Sequence, residues 1–300
     1  MTDVTRVFFY SPHPDDETLS MGLAMLHYIA NGCDVHLVSM CNGEAAGVAN
    51  TLNGVASGTA VVCSTPADHP YIHSPAREGY PTLTAADIGD ARILEARSTL
   101  GMMAMVPPVT PGVLGTVTHH VAGLPAEFGD PGSGSSTSPP TAAGIAAAKA
   151  VIKGYVDSYP NSFHYTMSDA DHHHDHAACG IALRQLKNDT VNTIPGTSLT
   201  YHDALVNARF FVSRLYWAIS QPDGHYQQDL LDAANGTLAW FNYYGSRYTL
   251  YCDWLRNQVI KPYRAWNPAA GAYGVGYHQV VSQFTSNFGP SASIANLWHA

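Results

Sequence analysis

Charge is scarce in this chain. Only 12% of its 300 residues are Asp, Glu, Lys or Arg, and the balance is acidic, with a net charge of −9. No run of Lys or Arg occurs, which argues against nucleic acid or an anionic membrane as a partner. No apolar stretch approaches the roughly 20 residues that a spanning helix needs, so no membrane span is expected. The amino terminus lacks a basic segment followed by a long apolar one, so no secretory signal is expected either. The five cysteines, Cys33, Cys41, Cys63, Cys179 and Cys252, show no C-x-x-C spacing. Their odd number keeps at least one thiol out of any intrachain disulfide, which suits a reducing, cytoplasmic compartment. No internal repeat and no convincing linker divides the chain. The expectation is a single domain over 1–300, a core at 1–220 with an aromatic-rich extension at 221–300 packed on it.

What the chain does have is histidine, 16 in all, several of them clustered. The first cluster is Ser11-Pro12-His13-Pro14-Asp15-Asp16-Glu17. It follows an apolar run, Val7 to Tyr10, that reads as a buried strand, and it opens a segment, Thr18 to Asn31, that reads as a helix. Strand-to-helix turns are where open α/β sheets bind ligands, outside the carboxyl ends of the strands. His13 and Asp16, three apart across a proline, can turn toward one point while Asp15 points elsewhere. That is the arrangement of a metal site with a spare carboxylate. An Asp-rich helix cap after a proline turn would explain the carboxylates equally well, but has no need of His13.

Val35 to Met40 reads as a second strand, completing a βαβ unit and implying a parallel sheet. Cys41-Asn42-Gly43-Glu44 then ends that strand at the sheet edge that carries His13. Asn50 to Pro81 has no clear period. Ala85 to Met103 and Ala142 to Ser158 read as helices, Gly112 to Val121 and Asn161 to Met167 as strands. Gly129 to Thr141 is a low-complexity loop. Phe210 to Trp217 reads as a further strand, and Asp229 to Gln258 as a helix dense in aromatics, more core than sugar platform.

The second cluster, Asp171-His172-His173-His174-Asp175-His176, again follows a strand and opens a helix. A solvated His-rich loop is one reading. The other follows from the parallel sheet, which brings both turns to one edge. Two imidazole nitrogens and one carboxylate oxygen then leave a fourth position open, as in catalytic zinc sites.

These residues resemble the PIG-L/LmbE family of zinc-dependent N-deacetylases. Pro12-His13-Pro14-Asp15-Asp16-Glu17 is similar to its (A/P)HPDDE signature, and His173-His174-Asp175-His176 to its later HPDH motif, with His174 in place of proline. Asn42-Gly43-Glu44 resembles its Gly-Glu motif. Arg92 and Glu95, followed by Leu100-Gly101, resemble its R-x-x-E-x-x-x-x-L-G helix. The resemblance spans about 6–190. It implies a Rossmann-like α/β fold, a mostly parallel sheet with helices on both faces, and hydrolysis of an N-acyl group, usually acetyl on an amino sugar. It implies one Zn2+ per chain held by His13, Asp16 and His176, with Asp15 as general base. His173 would stabilise the oxyanion or protonate the leaving amine, and Asp175 would orient His173. A tyrosine that some members carry for the oxyanion falls here on Asp171, and Tyr165 is a candidate replacement.

Glu44, Arg92 and His278 are candidate substrate contacts, although Arg92 and Glu95 also read as a structural helix pair. His69, His73, His119 and His120 read as loop histidines rather than ligands, and His164 as packed or hydrogen-bonded. The expected substrate is a small N-acetylated amino sugar or glycoconjugate. The low charge and aromatic carboxyl-terminal region favour a bulky one. A zinc amidase acting on a non-sugar amide, or a silent metal- or sugar-binding protein of the same fold, are the alternatives.

Overall fold

The structure is a computed structural model that describes residues 5–44, 47–63, 71–132, 138–211 and 247–279. Five parallel strands form its central sheet: β1 (Arg6–Ser11), β2 (Asp34–Cys41), β3 (Thr116–Leu124), β4 (Phe163–Met167) and β5 (Arg209–Phe211). Their order across the sheet is β3-β2-β1-β4-β5. The chain therefore starts in the middle, builds outward to β3, returns, and builds outward again. The crevice between the loops after β1 and β4 is the point where the order reverses, the place such sheets bind ligands.

Residues of β1 alternate between two cores. Val7 and Phe9 enter one with Val35, Leu37, Tyr165 and Met167; Phe8 and Tyr10 enter the other with Val38 and Met40. Helices cover both faces, which is why β1 is apolar throughout rather than alternating with polar residues. Full burial of Phe8 and Phe9 stabilises by about 1.5–3 kcal/mol each.

The helices that matter most to the site are α1 (Asp16–Leu19), α2 (Gly22–Ala30), α3 (Ala85–Met103), α4 (Ala142–Ser158), α5 (His174–Lys187) and α6 (Tyr248–Trp254). The spans of α3 and α4 match the expectation because both begin at threonine caps. Thr84 forms a capping box with Asp87, and Thr141 accepts from the Gly144 N–H. The single helix expected over Thr18 to Asn31 is instead broken in two. The Ser20 and Met21 N–H groups both reach back to Asp16 O, widening the turn before α2 starts. The strand expected to end at His119 and His120 runs on to Leu124, so these histidines lie within β3, His119 on Ser39 Oγ and His120 on His36.

The described carboxyl-terminal residues, 247–279, pack against α2 and α3. Tyr251, Cys252, Leu255, Val259 and Tyr263 join the same buried cluster as Leu26 and Leu100, and the Trp254 indole N–H donates to Met102 O. The expected aromatic helix before Arg247, and the strand residues beyond Phe211, lie outside the described residues.

Candidate metal and catalytic centre

The turn after β1 is held in a backbone conformation that few residues adopt. Asp15 has φ 122° and ψ −30°, a region that costs a non-glycine residue about 1–3 kcal/mol. Three contacts hold it there. Its N–H donates to Glu17 Oε2 at 2.8 Å, its carboxylate takes a 2.9 Å bond from Arg92 Nη2, and the same guanidinium nitrogen donates to Pro14 O at 2.6 Å. Arg92 Nη1 also reaches Gly43 O at 3.4 Å, joining the loops after β1 and β2. Gly43 sits at φ +74°, and a side chain there would run into the guanidinium, so glycine serves both the turn and the approach. Glu17 is buried and accepts the Thr18 hydroxyl and the Tyr263 hydroxyl as well.

Three imidazoles meet across the crevice. His13, His173 and His176 each offer a ligand atom within 4.8 Å of the others. Their partners assign their tautomers. His13 Nε2 lies 2.8 Å from Asp175 Oδ2 and donates to it, leaving Nδ1 as a lone pair 3.3 Å from Asp16 Oδ2. His176 Nδ1 faces the Asp171 carboxylate at 3.2 Å, within ion-pair reach but off the hydrogen-bond line, and its Nε2 lies 3.0 Å from the same Asp16 Oδ2. His13 Nδ1, Asp16 Oδ2 and His176 Nε2 thus converge as three donors. Each of the two histidines also has a carboxylate beside its other ring nitrogen, as metal-bound imidazoles do.

His173 is different. It caps α5 by accepting the Asp175 N–H on Nδ1 at 3.3 Å. With Nδ1 accepting, its proton is on Nε2 in this tautomer. The Asp175 carboxylate, expected to orient His173, bonds His13 and the Gly129 N–H (2.6 Å) instead; only its backbone N–H reaches His173. Asp171, whose position had marked a missing tyrosine, holds His176 and accepts the His173 N–H at 3.0 Å. Its role was invisible without the fold, since an acidic residue two before the motif reads as turn chemistry. Tyr165 does not replace the tyrosine: it is buried among Phe9 and Phe211 with its hydroxyl on that of Tyr28. His164 is packed and bonded to the Tyr10 hydroxyl at 2.8 Å.

Electrostatics follow this wiring. Burial tends to lower the His176 pKa, but Asp16 and Asp171 outweigh it and raise it well above the ordinary imidazole value. His13 is raised in the same way by Asp16 and Asp175 against its burial. Asp16 is buried too, yet His176 and His13 hold its carboxyl well below the usual range. Burial pushes Asp15 up and Arg92 pulls it back, for a net value of about 6. His173 is driven down to about 2 by burial and by its His176 and His13 neighbours, so it is neutral in the metal-free site.

The three expected substrate contacts have other partners. Arg92 is buried, and its two terminal nitrogens donate to Asp15, Pro14 O and Gly43 O. Its helix partner Glu95 does not pair with it but caps the short helix Val275–Gln279, accepting from the Val275 and Gly276 N–H groups at 2.6 and 2.9 Å. Glu44 is half-buried and accepts from Asn42 Nδ2 at 2.5 Å. His278 groups with Cys63 and His73 rather than with the imidazoles of the crevice.

Fold and geometry together define a doubly wound α/β domain with a cluster of imidazoles and carboxylates at its switch point, where His13, His173 and His176 could hold a metal ion. The chain belongs to the PIG-L family of N-deacetylases: the family model described as "GlcNAc-PI de-N-acetylase" matches residues 8–187. Among curated relatives, the 1D-myo-inositol 2-acetamido-2-deoxy-alpha-D-glucopyranoside deacetylase of Mycolicibacterium vanbaalenii is 43% identical over 42 residues, 14% of this chain and 15% of that protein. The Mycobacterium tuberculosis enzyme of the same description is 43% identical over 44 residues, 15% of this chain and 14% of that protein. The chain thus matches about a seventh of the length of these relatives. Among solved structures, the N,N'-diacetylchitobiose deacetylase of Pyrococcus horikoshii superposes with a TM-score of 0.39 at 13% identity, covering 64% of this chain and 53% of that one. No helix among the described residues is long and apolar enough to cross a membrane.

Proposed function

We propose that this chain is a zinc-dependent N-deacetylase that removes the acetyl group from an amino sugar carried on a larger conjugate. The observation that carries the reading is the convergence of His13 Nδ1, His176 Nε2 and Asp16 Oδ2, with the Asp15 carboxyl beside them. Those three atoms would hold one zinc ion per chain, which would supply Lewis acidity to polarise an acyl carbonyl and acidify water. Asp15 takes the proton of the attacking water. Burial raises its proton affinity while Arg92 holds it back, and a bound dication would lower it further, so the carboxylate would be ionised at neutral pH. Arg92 keeps that carboxylate aimed by holding its oxygen and the preceding carbonyl together. The Nε2–H of neutral His173 donates a hydrogen bond to the oxyanion of the tetrahedral intermediate, the task expected of the absent tyrosine. The resulting Asp15 carboxylic acid then returns its proton to the departing amine. Asp175 and Asp171 keep His13 and His176 in the tautomers that face the ion.

An acetylated amino sugar is supported by the family description, GlcNAc-PI de-N-acetylase, and by the curated relatives, which are described as deacetylases of a 2-acetamido sugar; the low charge of the chain suits a neutral glycoconjugate. The test is acetate release from a panel of N-acetylglucosamine conjugates and non-sugar acetamides, run on wild type, Asp15→Asn and Asp16→Asn with metal content measured in parallel. Asp15→Asn is expected to keep its metal and lose about 10²- to 10⁴-fold in turnover. Asp16→Asn is expected to lose metal and to recover partly in excess zinc. Turnover of the acetamides alone would reassign the substrate, and metal loss in Asp15→Asn would exchange the two aspartates.

A further inference from the structure

A second convergence of ligating side chains lies outside the centre described above and shares no residue with it. Cys63, His73 and His278 each offer a donor atom within 4.8 Å of the other two. They come from three segments: Cys63 from the bridge it forms with Tyr71, His73 from the residue before the cap of the short helix Pro75–Glu78, and His278 from the helix Val275–Gln279.

We infer that Cys63, His73 and His278 form a second metal site, one that takes a borderline-soft divalent cation such as Zn2+ through one thiolate and two imidazoles. Both histidines are set up as ligands by their other nitrogen. His73 Nδ1 lies 3.1 Å from Glu78 Oε2, and His278 Nδ1 lies 2.8 Å from Gly274 O. A carboxylate and a carbonyl can only accept, so both protons sit on Nδ1 and both Nε2 atoms present bare lone pairs. That is the arrangement a metal-bound histidine uses. His73 Nε2 is fully buried and has no hydrogen-bond partner. A buried acceptor left unmet is destabilising, and a cation satisfies it. Trp266 stacks on the His73 ring at 5.1 Å and 27°, fixing its plane. A thiol–imidazole–carboxylate relay would explain Cys63, His73 and Glu78, but not a second imidazole lone pair beside them.

An ion here ties the segment that follows β2 to the helix capped by Glu95. Since Glu95 lies one turn from Arg92 on α3, the site braces the helix that positions Asp15. It acts as a clasp, and its existence does not depend on the reaction assigned to the first centre.

The experiment uses the full chain, stripped with a chelator and titrated with Co2+. Only this second site contains sulfur, so a thiolate-to-cobalt charge-transfer absorption reports on it alone. Wild type should bind about two ions per chain and show the band. Cys63→Ser and His73→Gln should each bind about one ion, the former without the band. Asp16→Asn should retain the band while losing the other ion, and Cys33→Ser should leave both intact. If Cys63→Ser proves unfolded by circular dichroism, His278→Gln is the deciding variant, and it should weaken cobalt binding at the band at least tenfold. A wild-type protein that binds one ion with no thiolate band, or a band that survives in folded Cys63→Ser or is unweakened in His278→Gln, overturns the proposal.

Discussion

Replacing Arg92 with methionine keeps most of the side-chain volume and removes the charge. In the native protein the guanidinium and the Asp15 carboxylate are each about 7% exposed and 2.9 Å apart. Breaking a buried pair by removing one partner leaves an uncompensated charge, which is worth about 3–5 kcal/mol. Pro14 O loses its donor at the same time, so the strained Asp15 backbone keeps only one of its three restraints, the bond from its N–H to Glu17. We therefore expect a loss of about 3–5 kcal/mol in urea denaturation. At roughly 2–4 °C per kcal/mol for a chain of this size, the melting temperature should fall by roughly 6–20 °C. The double variant with Asp15→Asn separates the ion pair from the packing. Neutralising Asp15 removes the stranded charge, so the double variant should be less destabilised than the sum of the single variants by at least about 1.5 kcal/mol. Additivity within about 0.5 kcal/mol would show that the two side chains do not act as a pair and would refute the account of Arg92 as the group that holds Asp15. In turnover, a positioning role lowers kcat and leaves KM nearly unchanged, whereas a substrate contact would raise KM.

Asp171→Asn keeps the size of the group behind His176 but weakens its hold on the Nδ1 proton; metal affinity should drop about 10- to 100-fold in competition with a chelator, and an unchanged affinity would remove Asp171 from the site. Gly180, within α5, lies so close to Asp169 N and Ser168 that a Cβ would collide with backbone, and Gly180→Ala should cost about 1–3 kcal/mol and disturb the turn carrying His173. pH acts oppositely on the metal-free and metal-loaded chains. His13 and His176 have folded pKa values raised above the unfolded imidazole value, so their contribution is complete below about 6.5 and is lost as pH rises through the raised values. The chelator-treated protein should lose melting temperature across that interval. Metal binding, which needs both rings deprotonated, should tighten over the same interval; parallel flat profiles with and without zinc would contradict the shifts.

Much of the fold was legible because its signals are local. An apolar run before His13 and another before the second cluster identify strands, and threonines before α3 and α4 mark where those helices begin. Two strand-to-helix turns in a parallel sheet emerge at one edge, so His13 and Asp16 can meet His176, and the direct pairing of β1 with β4 brings them together. What the sequence could not contain is the direction of each hydrogen bond. Asp175 is adjacent to His174 and two from His173, yet its carboxylate serves His13, which is 162 residues away. Arg92 reads as a structural pair with Glu95 at helical spacing, but tertiary packing sends one to Asp15 and the other to the backbone at Val275 and Gly276. Cys63, His73 and His278 have no motif spacing at all; they share a point only because the carboxyl-terminal segment folds back over the region after β2. Residue type and period are properties of neighbours along the chain, whereas tautomer, burial and charge partner depend on groups that only the packed sheet and its crossovers bring within a few ångströms.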